Sequence, residues 1–178
     1  VPDGKKLSIG ENGKLSVDEG AELSVEEGGS VEVKPEGTLD NNGTVSVEEG
    51  GSVDNNGTVN NNEGGKLENS GDLNNNSSLK NDGELENKGT VSNNENGNLE
   101  NNGTIDNKEN AEINNGGNFN NNEGSTLNNE SGAKIDGSQP ISNGGDINND
   151  GNIKTTVENT EDGRVDAEDT WTDKDGKE

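Results

Sequence analysis

The 178-residue chain carries 38 acidic against 13 basic residues, a formal net charge of −25, and only 20% hydrophobic residues. With one Trp, one Phe and no Tyr, Met, Cys or His, it lacks the apolar mass of a compact core. It also lacks thiols for disulfides or metal sites and the imidazole that serves most often as general base or metal ligand. The acidic balance and single Arg exclude a cationic surface for nucleic acid or anionic membrane. No apolar run approaches the roughly 20 residues a membrane helix needs.

Composition alone reads as disorder. The order of the residues reads otherwise. From the start "VPDGKK", which looks like a processed or trimmed N-terminus without a signal peptide, an apolar residue recurs at fixed intervals. The first units lead with Leu7, Leu15, Leu23, Val31 and Leu39, eight residues apart. The series continues through Val45, Val53, Val59, Leu67, Leu73, Leu79, Leu85, Val91, Leu99, Ile105, Ile113, Phe119, Leu127, Ile135, Ile141 and Ile147 to Ile153. Every one of the 21 steps is six or eight residues. Both steps are even, so in an extended chain all 22 leading residues fall on one face. A helix would need recurrence near 3.6.

Two residues after each leading position lies a second slot of the same parity. Early in the chain it holds Ile9, Val17, Val25, Val33 and later Val47. Elsewhere it holds Asn41, Asn55, Asn61, Asn69, Asn75, Asn81, Asn87, Asn93, Asn101, Asn107, Asn115, Asn121, Asn129, Asn143 and Asn149. The spacing predicts an internal ladder in which these fifteen amides hydrogen-bond rung over rung. Gly often follows, as in "LDNNGT", "VDNNGT" and "LENNGT", and Asn-Gly is the usual signal for a turn with positive φ. The eight-residue units place two more residues at this corner, as in "VEEGGS".

Short strands with regular corners, each too poor to bury a core alone, predict an all-β β-solenoid, or parallel β-helix, over residues 1–154. Three faces per coil suit one apolar residue and one Asn per face and give about seven coils. A two-faced coil fits the spacing as well. The rhythm fails after Ile153. Residues 155–178, with nine acidic and three basic residues, read either as an acidic disordered end or as an acidic C-terminal arm or cap that pairs with the solenoid end of its own or a neighbouring chain, the ordered arm being preferred. The only Trp, Trp171, is its candidate assembly anchor.

The "NNGT" rhythm over residues 7 to about 155 resembles the repeat regions of bacterial and archaeal cell-surface β-solenoid proteins, of the filamentous-haemagglutinin and autotransporter-passenger kind. That resemblance implies an extracellular or cell-surface location and an adhesive or filament-forming role. Two functions are expected from it. One is a structural subunit of a self-assembling filament or sheath whose partners are copies of itself, stacked through coil ends. The other is an adhesin stalk that binds a glycan or surface ligand.

Smaller motifs overlap the repeat. "DINNDGNI" resembles the start of a calcium loop through Asp146, Asn148 and Asp150, but the twelfth position is Val157 where a Glu is needed, so a solenoid corner is the better reading. No cofactor is expected beyond weak, non-specific Ca2+ on the acidic surface. Sequons at Asn42, Asn56, Asn76 and Asn102 point outward by parity and are candidate glycosylation sites, whereas those at Asn75 and Asn129 point inward. No flat Thr array suggests ice binding. Without His or Tyr, and with one Phe and one Trp, little is present to stack sugars or tune an acid, so no enzymatic activity is expected.

Overall fold

The computed structural model describes residues 1–167. Within them, 24 strands of two to four residues follow one another, and none pairs with its neighbour in sequence. Each pairs with the strands three before and three after it. Three eight-stranded parallel sheets result, one built on β1 (Lys6–Ile9), one on β2 (Lys14–Val17) and one on β3 (Glu22–Val25). The chain is thus a three-sided β-solenoid of eight coils, one strand per side.

The even spacing sets the register. Leu73 of β10 (Asp72–Asn75) lies between Val53 of β7 (Ser52–Asn55) and Val91 of β13 (Thr90–Asn93). Asn75 likewise lies between Asn55 and Asn93. Leading residues therefore stack on leading residues and second slots on second slots along the whole axis. The leading column is fully buried from Val31 to Val157. Leu7, Leu15 and Leu23 in the first coil, and Val165 in the last, are only partly covered.

Corners join the same ladder. The Ser30 N–H donates to the Lys5 carbonyl at 2.9 Å, and the Ser52 N–H to the Gly29 carbonyl at 3.1 Å. Backbone bonding therefore runs round the coil rather than along the flat sides alone. This is how a chain with so little apolar mass offsets its conformational entropy.

The glycines of the two corner types do different work. Eight-residue units turn through a closed corner such as Asp18–Ala21, where the Ala21 N–H donates to the Asp18 carbonyl and Gly20 takes φ 77°. The short Asn-Gly corners do not adopt the positive φ expected from their sequence: Gly43, Gly57 and Gly103 all lie outside that region. They are glycine because stacked backbones approach closely, and a Cβ at Gly103 would lie 2.1 Å from the Gly83 carbonyl oxygen.

The coil also runs on beyond residue 154. β23 (Val157–Asn159) pairs with β20 (Ile141–Asn143), and β24 (Arg164–Ala167) with β21 (Asp146–Asn149). Residues 155–167 are therefore coil, not arm, and the coils number eight rather than about seven. The step from Ile153 to Val157 is four residues, so it breaks the six-or-eight rule while keeping parity. Trp171 lies outside the described residues.

Candidate functional site

All fifteen second-slot asparagines are buried inside the coil. They form three columns. On the β2 side, Asn41, Asn61, Asn81, Asn101, Asn121 and Asn143 each donate an Nδ2 proton to Oδ1 of the next rung at 2.7–2.8 Å, ending on Asn159. On the β1 side the column runs from Asn55 through Asn75 and Asn93 to Asn115. On the β3 side it runs from Asn69 through Asn87, Asn107 and Asn129 to Asn149.

Every one of these bonds points the same way, Nδ2 in one coil to Oδ1 in the next coil toward the C-terminus. The second amide proton is used as well. Asn101 Nδ2 donates to the Thr126 carbonyl at 3.0 Å, and Asn81 Nδ2 to the Thr104 carbonyl at 2.8 Å. Twelve of the fifteen inner amides tie two sides of the triangle together as well as two coils in this way; Asn115, Asn129 and Asn149 are the exceptions.

The ladder's lower ends expose its logic. The first Asn of each column has Val beneath it, so its Oδ1 receives no amide proton from below. Asn41 and Asn55 instead accept from the N–H groups of Gly43 at 3.2 Å and Gly57 at 3.1 Å. Asn69 Oδ1 is buried with no hydrogen-bond partner.

The outer surface carries a second set of ladders, between residues that alternate with the buried columns. Asn60 donates to Asp40 at 2.7 Å, Asn74 to Asp54 at 2.9 Å, Asn102 to Asp82 at 2.7 Å and Asn128 to Asp106 at 2.6 Å. Asn122 and Asn148 extend two of these upward. These bonds run toward the N-terminus, opposite to the inner ladders, so the two sets of amide dipoles oppose each other. A carboxylate only accepts, and in these four runs it stands at the accepting end. Burial pushes Asp82 up most strongly as a single effect, but the Lys80 ammonium and the Asn102 amide together hold its carboxyl below the usual range. Asp40 is lowered in the same way, against burial, by Asn60 and Lys14.

Of the sequon asparagines, Asn102 is exposed and Asn42, Asn56 and Asn76 are half-buried. Asn76 and Asn102 use Nδ2 to bond the coil below, whereas Asn42 and Asn56 accept through Oδ1 from the coil above. Asn75 and Asn129 lie in the inner ladder. The calcium-loop candidates are also placed. Asp146 and Asn148 belong to β21 and Asp150 to a corner, and Asp146 accepts both Nε and Nη2 of Arg164, at 2.8 and 3.0 Å. Among the described residues no group of three acidic side chains is arranged to hold a metal ion.

No family model matches the chain, and no curated protein matches it. A solved structure that it resembles is a crystal structure of a TibC-catalysed, hyper-glycosylated TibA fragment. The two share 15% identity over 94% of this chain and 86% of that one, with a TM-score of 0.20.

Proposed function

We propose that this chain is a non-enzymatic structural element of an extracellular filament or sheath, whose coils stack end to end on those of another copy. The observation that carries the reading is the stacking itself: leading residues lie on leading residues and second slots on second slots in parallel register from coil to coil, an edge that an equivalent coil of another copy fits. Among the described residues, β1, β2 and β3 at one end, and β22 (Asn152–Ile153), β23 and β24 at the other, each have a sheet neighbour on one side only. The half-covered Leu7, Leu15 and Leu23 lie in the first of these coils and Val165 in the last. Unpaired strand edges with partly covered apolar residues favour pairing with another chain. Joining unlike ends of identical subunits gives an open fibre rather than a closed ring when the rotation does not close.

The second reading is an adhesin stalk that presents a glycan- or surface-binding face. It is favoured by the sides of the coil, where, among the described residues, no large apolar side chain is exposed and polar ladders cover the strands. Electron microscopy of the purified chain across a concentration series separates the two. Fibres that lengthen with concentration, and are lost in a Leu15→Lys variant that remains folded, support the filament. Monodisperse short rods at every concentration overturn it and leave the stalk.

A further inference from the structure

An Asx-Gly junction is chemically fragile because the glycine nitrogen can attack the side-chain carbonyl of the preceding residue. The described residues contain seven Asn-Gly and five Asp-Gly junctions. In eleven of the twelve, the glycine N–H is held by an oxygen of a residue other than its own Asx. Gly97 donates to the Asn94 carbonyl and Gly144 to the Asn121 carbonyl, both at 2.7 Å, and Gly57 donates to Asn55 Oδ1 at 3.1 Å. A nitrogen whose proton is committed elsewhere within a bonded coil is turned away from the adjacent side chain.

The exception is Gly137. Its N–H donates to Oδ1 of Asp136, the carboxyl it would attack, at 2.9 Å. Three further features single out this junction. Gly137 fills the second slot directly above Asn115, where the three rungs below hold Asn75, Asn93 and Asn115, so no amide locks the position from inside. The strand above, β22, pairs only with Lys134 and Ile135 and stops short of Asp136. The Asp136 side chain is 46% exposed, with its Oδ2 3.9 Å from Lys154 Nζ.

We propose that Asp136–Gly137 is the self-modification site of the folded chain, the place where it converts to isoaspartate, while the coil protects the other eleven junctions. The Gly137 nitrogen attacks Cγ of the protonated Asp136 carboxyl. The N–Cγ bond forms, a Cγ–O bond breaks, and the nitrogen's proton leaves with that hydroxyl as water. Water then adds across either imide carbonyl, giving isoaspartate or restoring aspartate, with no oxidant, reductant or cofactor consumed. At the Asn-Gly junctions the same attack would release ammonia.

Peptide mapping of the whole chain, aged folded and aged in denaturant, tests this at neutral and mildly acidic pH. In the folded chain, isoaspartate should accumulate at position 136 ahead of positions 82 and 150. Ammonia loss at the seven Asn-Gly junctions should be slower than in denaturant by roughly tenfold or more. In denaturant the order should reverse, with Asn-Gly leading. An Asp136→Asn variant keeps the shape and supplies the better leaving group, so when folded it should lose ammonia at position 136 well before Asn102 does. Isoaspartate at 136 no more abundant than at 82 and 150, or Asn-Gly loss as fast folded as denatured, overturns the proposal.

Discussion

The first two coils and the coils above them fill the same inner slot with opposite chemistry. In the first coil the slot holds Ile9, Val17 and Val25, and in the second Val33, Asn41 and Val47. From the third coil on, Asn takes over almost completely. The backbone does not change across this boundary, since Val25 pairs with Val47 and Val47 with Asn69 in unbroken register. What changes is how the interior is held. Valine contributes burial, which is non-directional and tolerant of its neighbours. Asparagine contributes little apolar area but ties backbone carbonyls of a neighbouring side to its own column, and its rung-to-rung bond needs another amide above it. An apolar rung therefore leaves nothing unmatched where a column starts, whereas an amide rung needs a substitute donor there, as the Gly43 and Gly57 N–H groups supply for Asn41 and Asn55. The partnerless Oδ1 of Asn69 marks the transition on the β3 side.

The severest way to break the amide region is a charge inside it. Asn101 donates to Asn121 Oδ1 and to the Thr126 carbonyl and accepts from Asn81. An Asn101→Asp variant would lose both donors and bury an anion against two acceptors. The expected cost is about 3–5 kcal/mol at neutral pH, as for other unpaired buried charges. Burial would raise this carboxyl above its unfolded value of about 4, so the folded variant would hold the proton more tightly than the unfolded chain. Its deficit should therefore grow as pH rises through that range and shrink in acid. Urea unfolding at several pH values checks this, and a pH-independent midpoint difference near zero would contradict the inward ladder.

One substitution placed on two adjacent rungs separates the apolar interior from the amide interior. Val25→Asn sets an amide beneath Val47, with no amide above to accept from it. A cost of roughly 2–3 kcal/mol is expected, from an unpaired buried polar group and lost burial. Val47→Asn sets the same amide beneath Asn69, where its Nδ2 meets the buried Asn69 Oδ1 that has no partner. That variant should cost about 1 kcal/mol or less. Equal losses in thermal or urea unfolding would mean that the two regions do not differ in the way their residues imply.

Much of this was legible in the sequence because parity is exact. Each residue from Leu7 to Ile153 that the six-or-eight rule placed inside now lies in the leading column, and each second-slot Asn is buried. Three features were hidden. Short corners needed glycine for close backbone approach, as at Gly103, which the "NNGT" signal disguises as a φ requirement. The four-residue step to Val157 obscured β23 and β24. The outer ladders depend on which residues stack after coiling, and Asn60 lies 20 positions from Asp40, beyond any local pattern.

The smallest effect lies outside the core, on the β3 side, where the apolar-to-amide change is irrelevant and only charge matters. Glu86 pairs in register with Glu68 below and Asp106 above, a column of three carboxylates one rung apart. Lys66 pairs with Glu68 at 2.8 Å, Lys88 with Glu86, and Lys108 with Asp106 at 3.5 Å. The Lys88 ammonium, more than any other group, holds the Glu86 carboxyl below its ordinary range, against burial. A depressed carboxylate stabilises the fold above its unfolded pKa and loses that contribution as pH falls through the lower, folded value. Lys88→Ala should therefore cost about 0.2–1 kcal/mol at neutral pH, fading below about pH 4. Added salt should shrink the difference at neutral pH by screening the column. Because this ion pair lies outside the ladder, its loss should add to that of Val25→Asn within about 0.5 kcal/mol in the double variant. A larger coupling in urea unfolding would mean that the charged exterior and the two kinds of interior are not independent.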